Sequence, residues 1–201
     1  MGAGAILVVL TFLLVLLAWR MVLSSNKDLV RARAWGELTR RSLPFFVLAA
    51  MAASWPLLQG LQEGWVPMAW VLVFGAALVA SNFLSMPLTE RRASRAFRSG
   101  DYANAASLYR KLADERPLAR YCAFLGAALG ADEHHEEAIE PSTKAVELDP
   151  SYGLAYYNRA LILRNMGRKS RAVKDLERAL NTDMPHRIRS AAMRMLEELK
   201  S

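Results

Sequence analysis

The sequence predicts an all-α protein: three transmembrane helices, then an α-solenoid of about three helical hairpins plus a C-terminal capping helix. The first observation behind this is an internal repeat. Residues 131–150 read ADEHHEEAIEPSTKAVELDP and residues 167–185 read GRKSRAVKDLERALNTDMP, two copies of one pattern. Ala138 and Ala172 lie 34 residues apart, as do Ala145 and Ala179. A fixed period of this kind means stacked helical hairpins, each unable to bury its apolar face alone. The second observation is two long apolar stretches. Arg20 is the one charge between Ala3 and Leu23, and Glu63 the one charge between Leu43 and Met86. The third is the change at Thr89, after which the chain is charged throughout. Lipid is the implied environment of the first part and water of the second.

The first part, residues 1–88, reads as a membrane domain. Its first span covers about residues 5–23, long enough to cross a hydrocarbon core of about 30 Å. A cleaved signal peptide is the rival reading, but Met1–Ala5 carries no Lys or Arg and the apolar run is long. The stretch from Leu43 to Met86 suits two spans, about 43–58 and 65–86, with a break at the polar, glycine-bearing Gln59–Gly64. Pro44, Pro56 and Pro67 fall near span ends, where a missing N–H costs least. Trp19, Trp55, Trp65 and Trp70 fall there too, as interfacial anchors do. The loop over residues 24–42 holds Lys27, Arg31, Arg33, Arg40 and Arg41, and Arg91, Arg92, Arg95 and Arg98 follow the third span. Both basic segments belong on one face for three spans, which puts the N-terminus outside and the repeats in the cytoplasm. Residues Lys27 to Arg40 suggest a surface helix, with Leu29, Ala32, Trp35 and Leu38 dipping into lipid. Arg31, Arg33, Arg40 and Arg41 would then meet anionic headgroups. An ordinary charged connector is the alternative.

Little in the chain points to chemistry. The spans hold no buried acid, base or histidine chain of the kind that pumps and proton-coupled transporters need near the midplane. Ser54 and Ser81 are expected to hydrogen-bond their own helices. The net charge of +7 divides into +3 up to Leu88 and +4 beyond it, with no basic stripe interleaved with aromatics. Nucleic acid is therefore not an expected partner. The single cysteine, Cys122, excludes an internal disulfide and reads as a small buried hydrophobe. The run Asp132–Glu137 has metal-binding residue types, but it occupies a repeat turn, and its adjacent histidines diverge by about 100° on a helix. No nucleophile–base pair, phosphate-cradling glycine loop or paired catalytic carboxylates stand out, so neither enzyme activity nor a cofactor is expected. Pro141 either kinks the second helix of its repeat or marks a late start to that helix.

Residues of about 86–185 resemble a tetratricopeptide repeat (TPR) array. Leu125-Gly126 matches the Leu-Gly of the family's first helix, and Ala138, Ala145 and Pro150 match the Ala, Ala and Pro of the second. The next repeat has Tyr156 and Ala160, then Gly167 at the turn, Ala172 and Ala179, with Pro185 one residue late. In the first repeat, Gly100-Asp101-Tyr102 is a typical turn, and Ala105, Tyr109 and Pro117 fall in place. The expected repeats are about 86–118, 119–152 and 153–185, within a domain over 89–201. Residues 186–200 form an amphipathic cap whose Ile188, Ala192, Met195, Leu196 and Leu199 share one face.

The resemblance implies a concave, partner-binding groove lined by the first helices of the repeats. Inward positions would include Glu90, Ser94, Phe97 and Arg98; Arg120, Ala123, Phe124 and Ala127; and Leu154, Tyr157, Asn158, Leu161 and Arg164. Aromatics and arginines at these positions suit an extended or helical peptide with acidic character. Phe124 and Leu154 stand where chaperone-binding relatives carry clamp residues, which argues against chaperone-tail binding. The expected function is that of a membrane-anchored adaptor or accessory subunit, holding a peptide segment or a membrane-complex subunit at the cytoplasmic face. High Arg over Lys usage points to a GC-rich bacterial genome and hence the inner membrane. The alternative is a transient biogenesis factor, similar in architecture to cytochrome c maturation proteins that join membrane helices to TPRs. A transporter or channel subunit is a third reading, with little support from the apolar spans.

Overall fold

A computed structural model describes residues 3–58 and 64–201. Among them are eleven helices, which divide into two compact units, Met1–Pro87 and Leu88–Ser201.

The first unit holds α1 (Ala3–Ser25), α2 (Lys27–Arg31), α3 (Trp35–Leu58) and α4 (Val66–Leu84). α3 packs against α1, α2 and α4. Trp19 of α1 meets Phe46 of α3 with ring centroids 5.8 Å apart. Ser54 and Ser81 do bond their own helices, through Met51 O at 3.0 Å and Leu78 O at 2.8 Å. Ser54 Oγ also accepts from Trp70 Nε1 at 3.0 Å, tying α3 to α4. Among the described residues, α4 is the one helix found long and apolar enough to cross a membrane. Apart from Gly64, the break expected at Gln59–Gly64 lies outside the described residues.

The segment 24–42 is neither a loop nor one surface helix. α2 stops at Arg31, and Arg33 takes a left-handed φ of 52°. Ala34 N–H then bonds back to Leu29 O at 2.9 Å, and α3 starts at Trp35. Arg40 and Arg41 therefore lie inside α3 rather than ahead of it. Leu29 and Leu38 are 1% and 2% exposed, so they pack into the protein instead of dipping into lipid. Arg31, Arg33 and Trp35 remain exposed, whereas Arg40 and Arg41 are half-buried, Arg40 against the buried Glu37.

The second unit contains three antiparallel helix pairs. These are α5 (Leu88–Arg98) with α6 (Tyr102–Glu115), α7 (Ala119–Ala131) with α8 (His135–Leu148), and α9 (Gly153–Asn165) with α10 (Lys169–Leu180). Consecutive pairs are joined through α6·α7, α7·α9 and α8·α9 contacts. The small residues of the repeat pattern lie at the closest approaches: Ala138, Ala145, Ala160, Ala172 and Ala179 are all fully buried. At Gly126 a Cβ would lie 2.0 Å from Ser142 Oγ and 3.1 Å from Ala138 O. Helix α11 (His186–Lys200) closes the array. Its Ala192 and Met195 join a buried cluster with Tyr156, Leu163 and Leu176, against which Ile188, Leu196 and Leu199 also pack. Arg189 Nη1 donates to Leu180 O at 2.7 Å, satisfying a carbonyl at the end of α10.

The turn inside each pair has one geometry. The second residue after the first helix takes a left-handed φ: Gly100 at 82°, Glu133 at 65° and Gly167 at 72°. The next N–H bonds five residues back, from Asp101 to Ala96 O, His134 to Leu129 O and Arg168 to Leu163 O, at 2.8–3.0 Å. This is the Schellman closure that glycine favours. The middle repeat makes it with a glutamate, whose Cβ is strained there by roughly 1–2 kcal/mol. Glu133→Gly is accordingly expected to stabilise the unit by about 1 kcal/mol, partly offset by the entropy of an added glycine. Urea unfolding followed by tyrosine near-ultraviolet dichroism measures this, because all six tyrosines lie in the second unit. Helix α8 starts at His135, so Pro141 lies inside it and does not mark a late start.

Candidate partner-binding surface

Three groups of the residues expected to line a groove keep some exposure. Phe97, at the end of α5, is half-buried and stands edge-on to Tyr102 (5.5 Å) and Phe124 (6.2 Å). Phe124 of α7 in turn stacks on Tyr109 of α6, with centroids 5.3 Å apart and 15° between planes. Both phenylalanines thus lean on the α6 seam while keeping part of their surface outward. Tyr157 and Leu161 of α9 are half-buried against the cluster that α11 completes. Arg98 is exposed, and Arg120 and Arg164 are half-buried.

Other expected groove positions belong to the packing. Asn158 is 7% exposed, and its Nδ2 donates to Ala123 O of α7 at 3.2 Å, so its amide joins two repeats rather than facing a ligand. Leu154 is 9% exposed. Glu90 is also buried, accepting from Tyr121 Oη at 3.0 Å across the α5–α7 seam. The buried Tyr109 phenol has its pKa pushed up to about 12, first by burial and then by the Glu90 carboxylate. Burial likewise pushes up the Cys122 thiol. Among the described residues, no three His, Cys, Asp or Glu side chains come together as a metal site. His134 turns back on Asp132, with Nδ1 2.8 Å from its carbonyl oxygen.

A bidentate ion pair inside the unit lies outside the expected groove positions. Arg159 of α9 grips Asp175 of α10 with two parallel bonds, Nε to Oδ2 at 2.7 Å and Nη2 to Oδ1 at 2.8 Å. Its Nη1 donates to Thr143 Oγ1 of α8 at 3.3 Å, and its guanidinium lies 5.9 Å from the Tyr156 ring centroid. The Asp175 bond is also the first cause that raises the Arg159 pKa. A signal existed in the repeat register. Shifted by 34 residues, Arg159 falls on Leu125 and Asp175 on Pro141, so a charged pair in one repeat replaces an apolar pair in the other.

Residues 143–174, from the middle of α8 through α9 into α10, match the family model described as tetratricopeptide repeat. These residues carry a tetratricopeptide repeat. The matched window holds Ala145, Tyr156, Ala160, Gly167 and Ala172, the residues that set the helix spacing just described. No curated protein matches the chain. TPR units recognise protein partners through surfaces of stacked helices. In this TPR unit the partly exposed aromatics Phe97, Phe124 and Tyr157, with Arg98, Arg120 and Arg164, remain as candidate contacts.

Proposed function

We propose that this TPR protein is a membrane-anchored adaptor or accessory subunit that holds a protein partner at the cytoplasmic membrane face. The observation that carries the anchoring is the outward apolar surface of the first unit. Phe12, Leu17, Leu72, Val73 and Phe83 are 62–68% exposed. Large apolar side chains left this exposed on two helices point to an interface or a bilayer in preference to water. α1, with 23 residues, is about 34 Å long, and α4 has 19, both near the thickness of a hydrocarbon core. The proposed topology sets three spans, about 5–23, 43–58 and 65–86, with the N-terminus outside. Arg31 and Arg33 on one side of the α3–α4 pair, and the four arginines of α5 after it, support that orientation. An inner-membrane location in a bacterium goes with it.

The partner is held by side chains on the first helices of the TPR pairs. Aromatic and arginine residues that keep partial exposure supply most binding energy at protein interfaces. Phe97, Phe124, Tyr157, Leu161, Arg98, Arg120 and Arg164 are the proposed contacts. The chain should sediment with membranes after an alkaline carbonate wash; recovery in the soluble fraction overturns the anchoring. Tyr157→Ala should lower the recovery of a co-purifying partner about tenfold, with the protein still in the membrane. Unchanged recovery with Tyr157→Ala and with Phe124→Ala overturns the assigned surface.

A further inference from the structure

A second surface of the TPR unit lies away from the residues just proposed. Between α8 and α10 there is an open cleft of about 340 Å³, backed by the Arg159–Asp175 pair. Its apolar floor comes from Ile139 and Leu163, and one wall carries Arg168, Arg171, Lys174 and Arg178. Positions 171, 174 and 178 follow i, i+3, i+7 spacing, so they stack along one face of α10. From Arg168 to Arg178 the wall runs about 15 Å.

Three of these four cations lack a counter-charge. Among the described residues, Arg171, Lys174 and Arg178 make no ion pair, and Arg168 has only Glu136 at 3.5 Å. Like charges three and four residues apart on a helix repel one another. The acids of α10 are already engaged, Asp175 by Arg159 and Glu177 by Lys200 at 2.7 Å. Beside the cleft, α8 bears the exposed Glu136, Glu140 and Glu147, while its Glu137 is turned to Arg110 of α6 at 3.9 Å. A bilayer or a nucleic-acid backbone lying over both helices meets those carboxylates. A slender chain running along α10 meets the cations alone, and four or five extended residues are enough to cover the wall.

We propose that this cleft is a second docking site, for an acidic polypeptide segment that places an apolar side chain between Ile139 and Leu163 and its carboxylates on Arg171, Lys174 and Arg178. The site is independent of the surface proposed above, and both can be filled on one molecule.

The test uses the full chain in detergent micelles and a short fluorescent peptide with two acidic residues on either side of a leucine. Fluorescence anisotropy should show saturable binding that weakens with salt. The double substitution Arg171→Glu with Lys174→Glu should weaken it at least about tenfold, whereas Tyr157→Ala should leave it unchanged. Both replaced side chains are exposed, so the helix pairs stay intact, and an unchanged labelling rate at Cys122 checks this. Absent saturable binding, or binding indifferent to the charge reversal, overturns the proposal. So does a reversal that abolishes sedimentation with vesicles rich in phosphatidylglycerol while peptide binding persists, because the cleft then serves lipid.

Discussion

Asp175→Ala is expected to destabilise the TPR unit by about 2–3 kcal/mol. The carboxylate is buried and holds both arms of the Arg159 guanidinium. Without it, Arg159, 19% exposed in its place between helices, loses the one carboxylate it is bonded to among the described residues. That residual exposure puts the loss at the lower end of the range for a broken buried pair. The cost comes from the orphaned charge more than from the pair itself, so Arg159→Leu combined with Asp175→Leu should recover most of the stability. The preceding repeat, with Leu125 and Pro141 at the corresponding positions, already uses an apolar solution. Cys122 provides the readout: it is the one cysteine, 1% exposed on α7, and reacts when the unit opens. If reclosing outpaces labelling, Asp175→Ala should raise the rate on the order of 30- to 150-fold. The double variant should fall back near the parent rate. A double variant as labile as the single one means the charged pair contributes far more than its removal cost implies.

Gly126→Ala should cost about 1–3 kcal/mol through overpacking. The new methyl meets Ser142 Oγ at 2.0 Å and the Ala138 carbonyl at 3.1 Å, and the latter belongs to the backbone of α8 and cannot rotate away. Ser142 sharpens the test. Its hydroxyl is fully buried and makes no hydrogen bond, so Ser142→Ala by itself should be neutral or stabilising. Gly126→Ala with Ser142→Ala should then lose less than Gly126→Ala alone. A double-mutant cycle by urea unfolding isolates this coupling. Strict additivity would mean that the two helices already separate enough to admit the methyl.

The TPR half of the fold is legible in the sequence because its closest contacts admit only small residues. Gly126, Ala138, Ala160 and Ala172 recur at fixed spacing for that reason, and the helix pairs follow from them. The amphipathic stripe of α11 is equally plain, since Ala192 and Met195 must face the array if they are to be buried. The candidate surface is less legible. Periodicity selects the right helix but not its rotation, and one residue is about 100° of turn. The resemblance sets Leu154 and Asn158 in the groove, yet both are buried, and the Asn158 amide bonds to Ala123 O of α7. The break at Arg33 carries no glycine or proline; burial of Leu29 and Leu38 on either side forces the chain to fold back there. Glu133 conceals a turn that its sister repeats announce with glycine.

Photo-crosslinking from position 157, in native membranes, tests most directly that a lipid-held chain presents a protein-binding TPR surface. A benzophenone side chain replacing Tyr157 should give one discrete adduct with another polypeptide, found in the carbonate-resistant membrane fraction. The same side chain at the exposed Ser170, on the other helix of that pair, should not give it. A chain recovered in the soluble fraction, or the same adducts from both positions, would contradict the proposed role.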